Sequence, residues 1–368
     1  MKKQCENTKT DQLVYSELEE TEHPGEYLLE ALESQEITQS EFARRAGISE
    51  KHVSQLVSGK VGMSTAMALA AERILGGSAR LWLNLDTAHR VWVAQQDRHR
   101  REATHADWAR EFPLKDLRER GYISQPRVNE ETVLELLAFF GVNGIEQWEV
   151  LYDDLGAQFR ESPSLIASKK SQAAYLRICE TRAEVWDLPA FNREKFHEAV
   201  QVVRQNLKED TQAILQDATS GLREAGVALI VEPFTEKSRL SGAAFWPRRN
   251  KAILAPTMRF KTADHLWFSF FHEAGHILLH RNRRIIETPQ ATGDLEDEAN
   301  QFAPEILLPM NTYRHLTENP PLNEKKIVRT AEDNALPADS LVGMLQHDEV
   351  IDHAQFNHLK RYLEVEDG

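Results

Sequence analysis

The stretch Phe271–His280, "FHEAGHILLH", decides how the second half of the chain is read. His272 and His276 are one helical turn apart, so both imidazoles face the same way, about 6 Å apart along the axis. That spacing suits two corners of a tetrahedral zinc site, with Glu273 on the neighbouring edge able to reach a water at an open coordination position. An ordinary amphipathic helix carrying two histidines would show the same letters. Three features favour the metal. The helix is otherwise strongly apolar, through Trp267, Phe268, Phe270, Phe271, Ile277, Leu278 and Leu279, and polar groups in such surroundings need a partner. Gly275 removes a side chain between the histidines and admits a neighbouring element, at about 1 kcal/mol of helix stability. A carboxylate-rich segment, "DLEDEANQFAPEILLP" (294–309), then follows after enough chain for a loop and a return helix. Asp294, Glu296, Asp297 and Glu298 are the candidates for a third ligand. Glu296 is preferred, because Asn300 lies four residues on and shares its face, where its amide could orient a histidine; Glu298 comes next.

Length and composition bound the rest. The chain has 368 residues, 41% apolar and 28% charged, with a net charge of −14. That is the balance of a globular protein with two or three cores. The acidity argues against nonspecific nucleic-acid binding by the whole chain. Charge is uneven, however. Residues 1–22 are acid-rich, whereas 24–101 are nearly balanced, with Arg44, Arg45, Lys51 and Lys60 among the basic residues. Cys5 and Cys179 lie far apart and outside any CxxC pair, which fits a reducing cytoplasm. No apolar run approaches the roughly 18–20 residues of a membrane helix, and "MKKQCENTKTDQ" lacks the apolar region of a secretory signal.

The chain reads as mainly α with a small β-sheet, an α+β class. Residues 1–22 form an acidic arm, 23–97 an all-α domain, 98–170 a helical linker domain, and 171–368 the domain of the His-Glu-x-x-His helix with a helical C-terminal extension. Strand character is confined to "VALIVEPF" (227–234), "SGAAFWP" (241–247) and "KAILAPT" (251–257), short runs bounded by Gly, Pro and charge that predict a meander.

In "TQSEFARRAGISEKHVSQLVSGK" (38–60) Thr38 caps one helix, with Glu41 three residues on in a capping-box pattern. Gly47 can take the left-handed conformation of a tight helix–helix turn, and Ser49 caps the second helix. Ala43, Ile48, Val53 and Leu56 are spaced to pack the two helices together. Glu50, Lys51, Ser54 and Gln55 are left projecting from the front of the second helix, which fits a DNA major groove with its first turn at base edges.

This pattern resembles the XRE-type helix-turn-helix domain in the variant found in HigA-type antitoxins, with "RLWLNLDTAHRVW" (80–92) as its extension. The resemblance implies phosphate contacts at Gln39, His52 and Lys60, and base reading at Glu50, Lys51, Ser54 and Gln55, with Ser49 counted among the DNA-facing residues. "DHLWFSFFHEAGHILLH…EDEANQFAPEILLP", preceded by "GAAFWPRRNKAILAPTMR", is similar to the ImmA/IrrE metallopeptidases over roughly half the chain. Ala274 stands where leucine is commoner there, and Pro304 falls in a helix usually continuous. The likeness implies a zincin-like site in which His272, His276 and Glu296 bind zinc and Glu273 carries the proton. His280 also fits the pattern and is read as packing or second shell. Arg259 and Tyr313 are candidates for stabilising an oxyanion. Together the resemblances imply a dimeric, cytoplasmic regulator that binds a double-stranded operator and cleaves a regulatory protein, an XRE-type repressor or itself, in a stress, mobile-element or toxin–antitoxin setting. The alternative is a non-catalytic, antitoxin-like repressor whose peptidase-like domain serves as sensor or protein-binding module.

Overall fold

The computed structural model describes residues 22–363, except 104, 153–162, 234, 236, 237, 239, 241, 249, 257–261, 282–284, 288–293 and 320. The side chains of 99–103, 163–168 and 285–287 are also outside the description. The chain divides into two compact units, one ending at Ala106 and the other beginning at Asp107. The first holds α1 (Pro24–Ser34), α2 (Gln39–Ala46), α3 (Glu50–Val57), α4 (Thr65–Leu75) and α5 (Ala79–Ala103). Leu28, Leu32, Phe42, Ala43, Val53, Leu56, Met67, Ala68, Ala71 and Trp82 form its core. Helix α1 lies so close to the end of α3 that a Cβ on Gly25 would stand 2.3 Å from the Leu56 carbonyl oxygen.

The second unit opens with short helices α6 (Ala106–Arg110), α7 (Leu114–Glu119), α8 (Glu130–Phe140) and α9 (Ile145–Leu151), followed by α10 (Pro163–Glu184), α11 (Arg193–Gln205) and α12 (Thr211–Glu224). Strands β1 (Val227–Leu229), β2 (Gly242–Arg248) and β3 (Lys251–Pro256) come next, then α13 (Ala263–Leu279), β4 (Ile285–Glu287) and α14 (Asp294–Leu307). Helices α15 (Met310–Thr317), α16 (Glu324–Asp333), α17 (Ala338–His347) and a 3₁₀ turn (Asn357–Leu359) complete it. Residues from 107–152, set apart in sequence as part of a linker, share a core with the sheet: Trp108, Phe112, Phe140 and Trp148 pack with Phe245 and Ile253.

The sheet differs from the meander that the sequence suggests. Its order is β1-β3-β2-β4, with β1 parallel to β3 and β2 antiparallel to both β3 and β4. Among the described residues, only β2 and β3 make a hairpin, and β2 lies on the far side of β3 from β1. Alternation along each strand separates two cores. Ala228, Ala243, Phe245, Ile253 and Ala255 face the aromatic core with Tyr175 of α10. Val227, Leu229, Ala244, Ala252 and Leu254 face α13 through Trp267, Phe270, Phe271 and Ala274.

Helix α13 is fixed at both ends. Its first N–H groups lack intrahelical acceptors, and its cap residue Thr262 makes no side-chain capping bond. The C-terminal segment supplies the partner: Ala263 N–H donates to the Arg361 carbonyl at 2.9 Å, and Thr262 bridges to Tyr362. Lys360 Nζ reaches the buried Asp264 carboxylate at 2.7 Å, and Arg361 Nε reaches buried Asp339 at 2.7 Å. Farther along, a Cβ on Gly275 would meet Phe302 of α14 at 3.0 Å, so this glycine admits a neighbouring helix as its position predicts. Helix α14 runs on through Pro304 to Leu307. Its last carbonyls, at Ile306 and Leu307, accept from the Arg204 guanidinium at 3.1 and 2.9 Å.

Candidate functional site

The α13–α14 contact brings three donors together. The Nε2 atoms of His272 and His276 are 2.9 Å apart. Glu296 Oε2 lies 3.2 Å from the first and 3.5 Å from the second. Ligands of a tetrahedral zinc ion at 2.0–2.1 Å stand about 3.3 Å from one another, so these three atoms outline one face of such a tetrahedron. Two imidazoles and a carboxylate are also the donor set zinc accepts when a fourth position is left open. The cluster is buried, and among the described residues it is the one group of three His, Cys, Asp or Glu placed to hold a metal. Glu298, the second candidate, is not one of the three; its carboxylate meets His280 Nε2 at 2.9 Å.

Glu273 follows His272 and is fully buried. The backbone of β2 passes directly over it: a Cβ on Gly242 would lie 2.0 Å from Glu273 Oε1. Only glycine leaves room for that carboxylate beneath the strand.

In the first unit, Thr38 Oγ1 accepts from Glu41 N–H at 3.1 Å and Ser49 Oγ from His52 N–H at 3.3 Å, both caps as read in sequence. Gly47 is left-handed at φ 70°, turning α2 into α3. Glu50, Lys51, Ser54, Ser49 and Lys60 are exposed, while Gln39, His52 and Gln55 are half-buried. Arg44 and Arg45 both pair with Glu41, whereas no ion pair engages Lys51 or Lys60 among the described residues. The Glu50 carboxylate accepts from the Ser40 hydroxyl, tying the start of α3 to α2.

Residues 28–82 match the profile of the helix-turn-helix family, and residues 223–329 match that of the IrrE N-terminal-like domain, a peptidase family. The uncharacterized HTH-type transcriptional regulator YddM of Escherichia coli K12 is 34% identical over 73 residues, 20% of this chain and 78% of that protein. Virulence-associated protein I of Dichelobacter nodosus is 32% identical over 77 residues, 21% of this chain and 71% of its own. A solved structure of a candidate antidote protein of a plasmid maintenance system from Nostoc punctiforme is 30% identical, covering 21% of this chain and 84% of that one at a TM-score of 0.20. The chain belongs to the helix-turn-helix regulators, with an IrrE-like peptidase domain fused behind.

The electrostatics of this regulator's cluster suit a cation. Burial pushes the Glu296 carboxyl up, but the neighbouring His272 and His276 side chains prevail and hold it at about 2. Burial lowers His276, and neighbouring His272 and His280 add to this against the opposing pull of Glu296. Near neutral pH the site therefore presents a carboxylate and a neutral His276, the forms in which these side chains ligate.

His280 is buried, with its ring beside that of His276. Asn300 is exposed, and the side chain of α14 that reaches a cluster histidine's neighbour is Glu298. Tyr313 is turned elsewhere, its hydroxyl donating to Asp348 at 2.6 Å; Arg259 lies outside the described residues. The sequence reading missed Gly242. A glycine inside a strand pattern is the signal that could have found it, since it marks close approach of another element.

Proposed function

We propose that this protein is a DNA-binding transcriptional regulator with zinc metallopeptidase activity that cleaves a regulatory protein at a defined site. The observation that carries this reading is the convergence of His272, His276 and Glu296 beside the buried Glu273, in a chain that also presents an exposed recognition helix. His272, His276 and Glu296 would hold the zinc. When bound, the ion would supply Lewis acidity toward a scissile carbonyl and acidify water. Glu273 would accept a proton from the attacking water and pass it to the leaving amine. Substrate addition at the sheet has two edges to use, β1 and β4, because β2 and β3 are each paired on both sides. β4 flanks Gly242, whose partner there is Glu287, so β4 is the edge next to Glu273.

The DNA-binding unit is read as a dimer on a palindromic operator with half-sites one helical turn, about 34 Å, apart. Zinc, a protein substrate and a cytoplasmic setting belong to the same proposal. No helix among the described residues is long and apolar enough to cross a membrane. Self-cleavage at the junction of the units would have to unwind structure, since α5 extends to Ala103 and Trp108 and Ala109 are buried. A separate repressor is therefore the preferred substrate.

One observation favours a second reading, an antitoxin-like repressor with a sensor module: Glu273 has no exposed surface, and a general base must be reached by water. The deciding experiment incubates wild type and Glu273→Gln with helix-turn-helix repressors, maps fragments by mass spectrometry and measures zinc in both. Zinc in both proteins with fragments from wild type alone supports the peptidase. Zinc in both with fragments from neither supports the sensor, and equal fragments from both remove Glu273 from the chemistry.

A further inference from the structure

Helix α13 ends at Leu279, and His280 is its C-cap residue, donating its backbone N–H to the His276 carbonyl at 2.9 Å. The His280 ring is buried, yet both its nitrogens are committed. Its Nδ1 lies 3.0 Å from Nδ1 of His276, and its Nε2 lies 2.9 Å from Glu298 Oε2. Glu298 stands two residues beyond the ligand Glu296, on the other side of α14, with its side chain 59% exposed. A line of hydrogen bonds therefore runs from the surface through His280 to the back of a cluster histidine.

Proton placement along this line has one self-consistent solution. A cation at the cluster takes the Nε2 lone pair of His276, so the proton of that neutral ring is on Nδ1. Nδ1–H of His276 can donate only if Nδ1 of His280 accepts. The proton of His280 is then on Nε2, where it meets a carboxylate that can only accept. Reversing His280 would put N–H against the Nδ1 of His276 and move the His276 proton to Nε2, blocking the ligand atom.

We propose that Glu298 and His280 are positioning residues: through the tautomer of His280 they hold His276 with Nδ1 protonated and Nε2 bare toward the metal. This rests on the zinc reading above and adds a determinant of metal affinity outside the ligand set. Loss of such outer partners typically weakens metal binding about 10–100-fold.

The test measures zinc affinity of the full-length protein by competition with a chromophoric chelator, alongside the thermal midpoint of the metal-free form. Glu298→Ala and His280→Ala should each weaken zinc about 10–100-fold. Glu298→Gln, whose amide oxygen still accepts from Nε2–H, should recover affinity to within a few-fold of wild type. The double variant Glu298→Ala/His280→Ala should bind no more weakly than His280→Ala alone. ¹⁵N-histidine spectra should show the Nε2–H tautomer at His280 in wild type and its loss in Glu298→Ala. Exposed Glu298 can be changed with the metal-free midpoint unaltered, which separates positioning from folding. Wild-type zinc affinity in Glu298→Ala, or fully additive losses in the double variant, would overturn the relay. A wild type that binds no zinc at all would instead sink the metal reading itself.

Discussion

Gly242→Ala is the most demanding test of the geometry around Glu273. The new Cβ would sit 2.0 Å from Glu273 Oε1, 2.8 Å from Cδ and 3.0 Å from Cγ. Ordinary contacts between such atoms are about 3.5 Å, so more than 1 Å of overlap has to be relieved. The strand cannot easily yield, because Gly242 is paired with Pro256 on one side and Glu287 on the other. Glu273 must move instead, inside a fully buried site. Overpacking of this kind costs about 1–3 kcal/mol. For a unit of this size each kcal/mol lowers the thermal midpoint by roughly 2–4 °C, so a fall of about 2–12 °C is expected. Cleavage should fall further than stability implies, since displacing a reacting group by 1 Å can cost about 100-fold. Zinc content should be unchanged, because no ligand is touched. Calorimetry on Gly242→Ala, Glu273→Ala and the double variant supplies the control: with the carboxylate gone, the alanine should be tolerated, giving strongly non-additive changes. Full stability of Gly242→Ala, or additive losses in the double variant, would refute the packing of β2 on Glu273.

Three further outcomes follow from the same structure. Metal-free protein should lose stability in two acid steps. His276 is lowered on folding, so its share is lost as pH falls below the ordinary imidazole value, about 6.5; Glu296, held at about 2, gives a share lost as pH falls from the ordinary carboxylate range through that value. Urea titrations from pH 7 to 2 check this, and His276→Gln should shrink the first step, to which His23 and His265, likewise lowered by burial, also contribute. Lys51→Ala/Gln55→Ala should weaken operator binding by about 1–3 kcal/mol per base contact in gel shifts, and unchanged binding would remove α3 from the groove. Gly47→Ala meets no atom within 4 Å, so it should cost only the left-handed backbone, about 1–2 kcal/mol, read from chemical denaturation of the first unit.

Much of this protein is legible one helix at a time. Thr38, Gly47 and Ser49 punctuate α2 and α3 as their side chains dictate, because capping and left-handed turns depend on a few neighbouring residues. The pairing of His272 with His276 and the gap at Gly275 follow from helical periodicity alone. Spacing to Asn300 points to Glu296, yet what seats it is the closeness of α13 and α14 at Phe302, and Asn300 itself is exposed. The parallel pairing of β1 with β3 joins three-residue segments whose composition carries no register. Nor does any local pattern show that Glu298 meets His280, that Lys360 and Arg361 brace α13, or that Gly242 overlies Glu273. These contacts join residues between 18 and 98 positions apart in the chain. They exist because burying two faces of one small sheet forces α13, α14 and the C-terminal segment into a single core, and only that packing decides which polar groups meet.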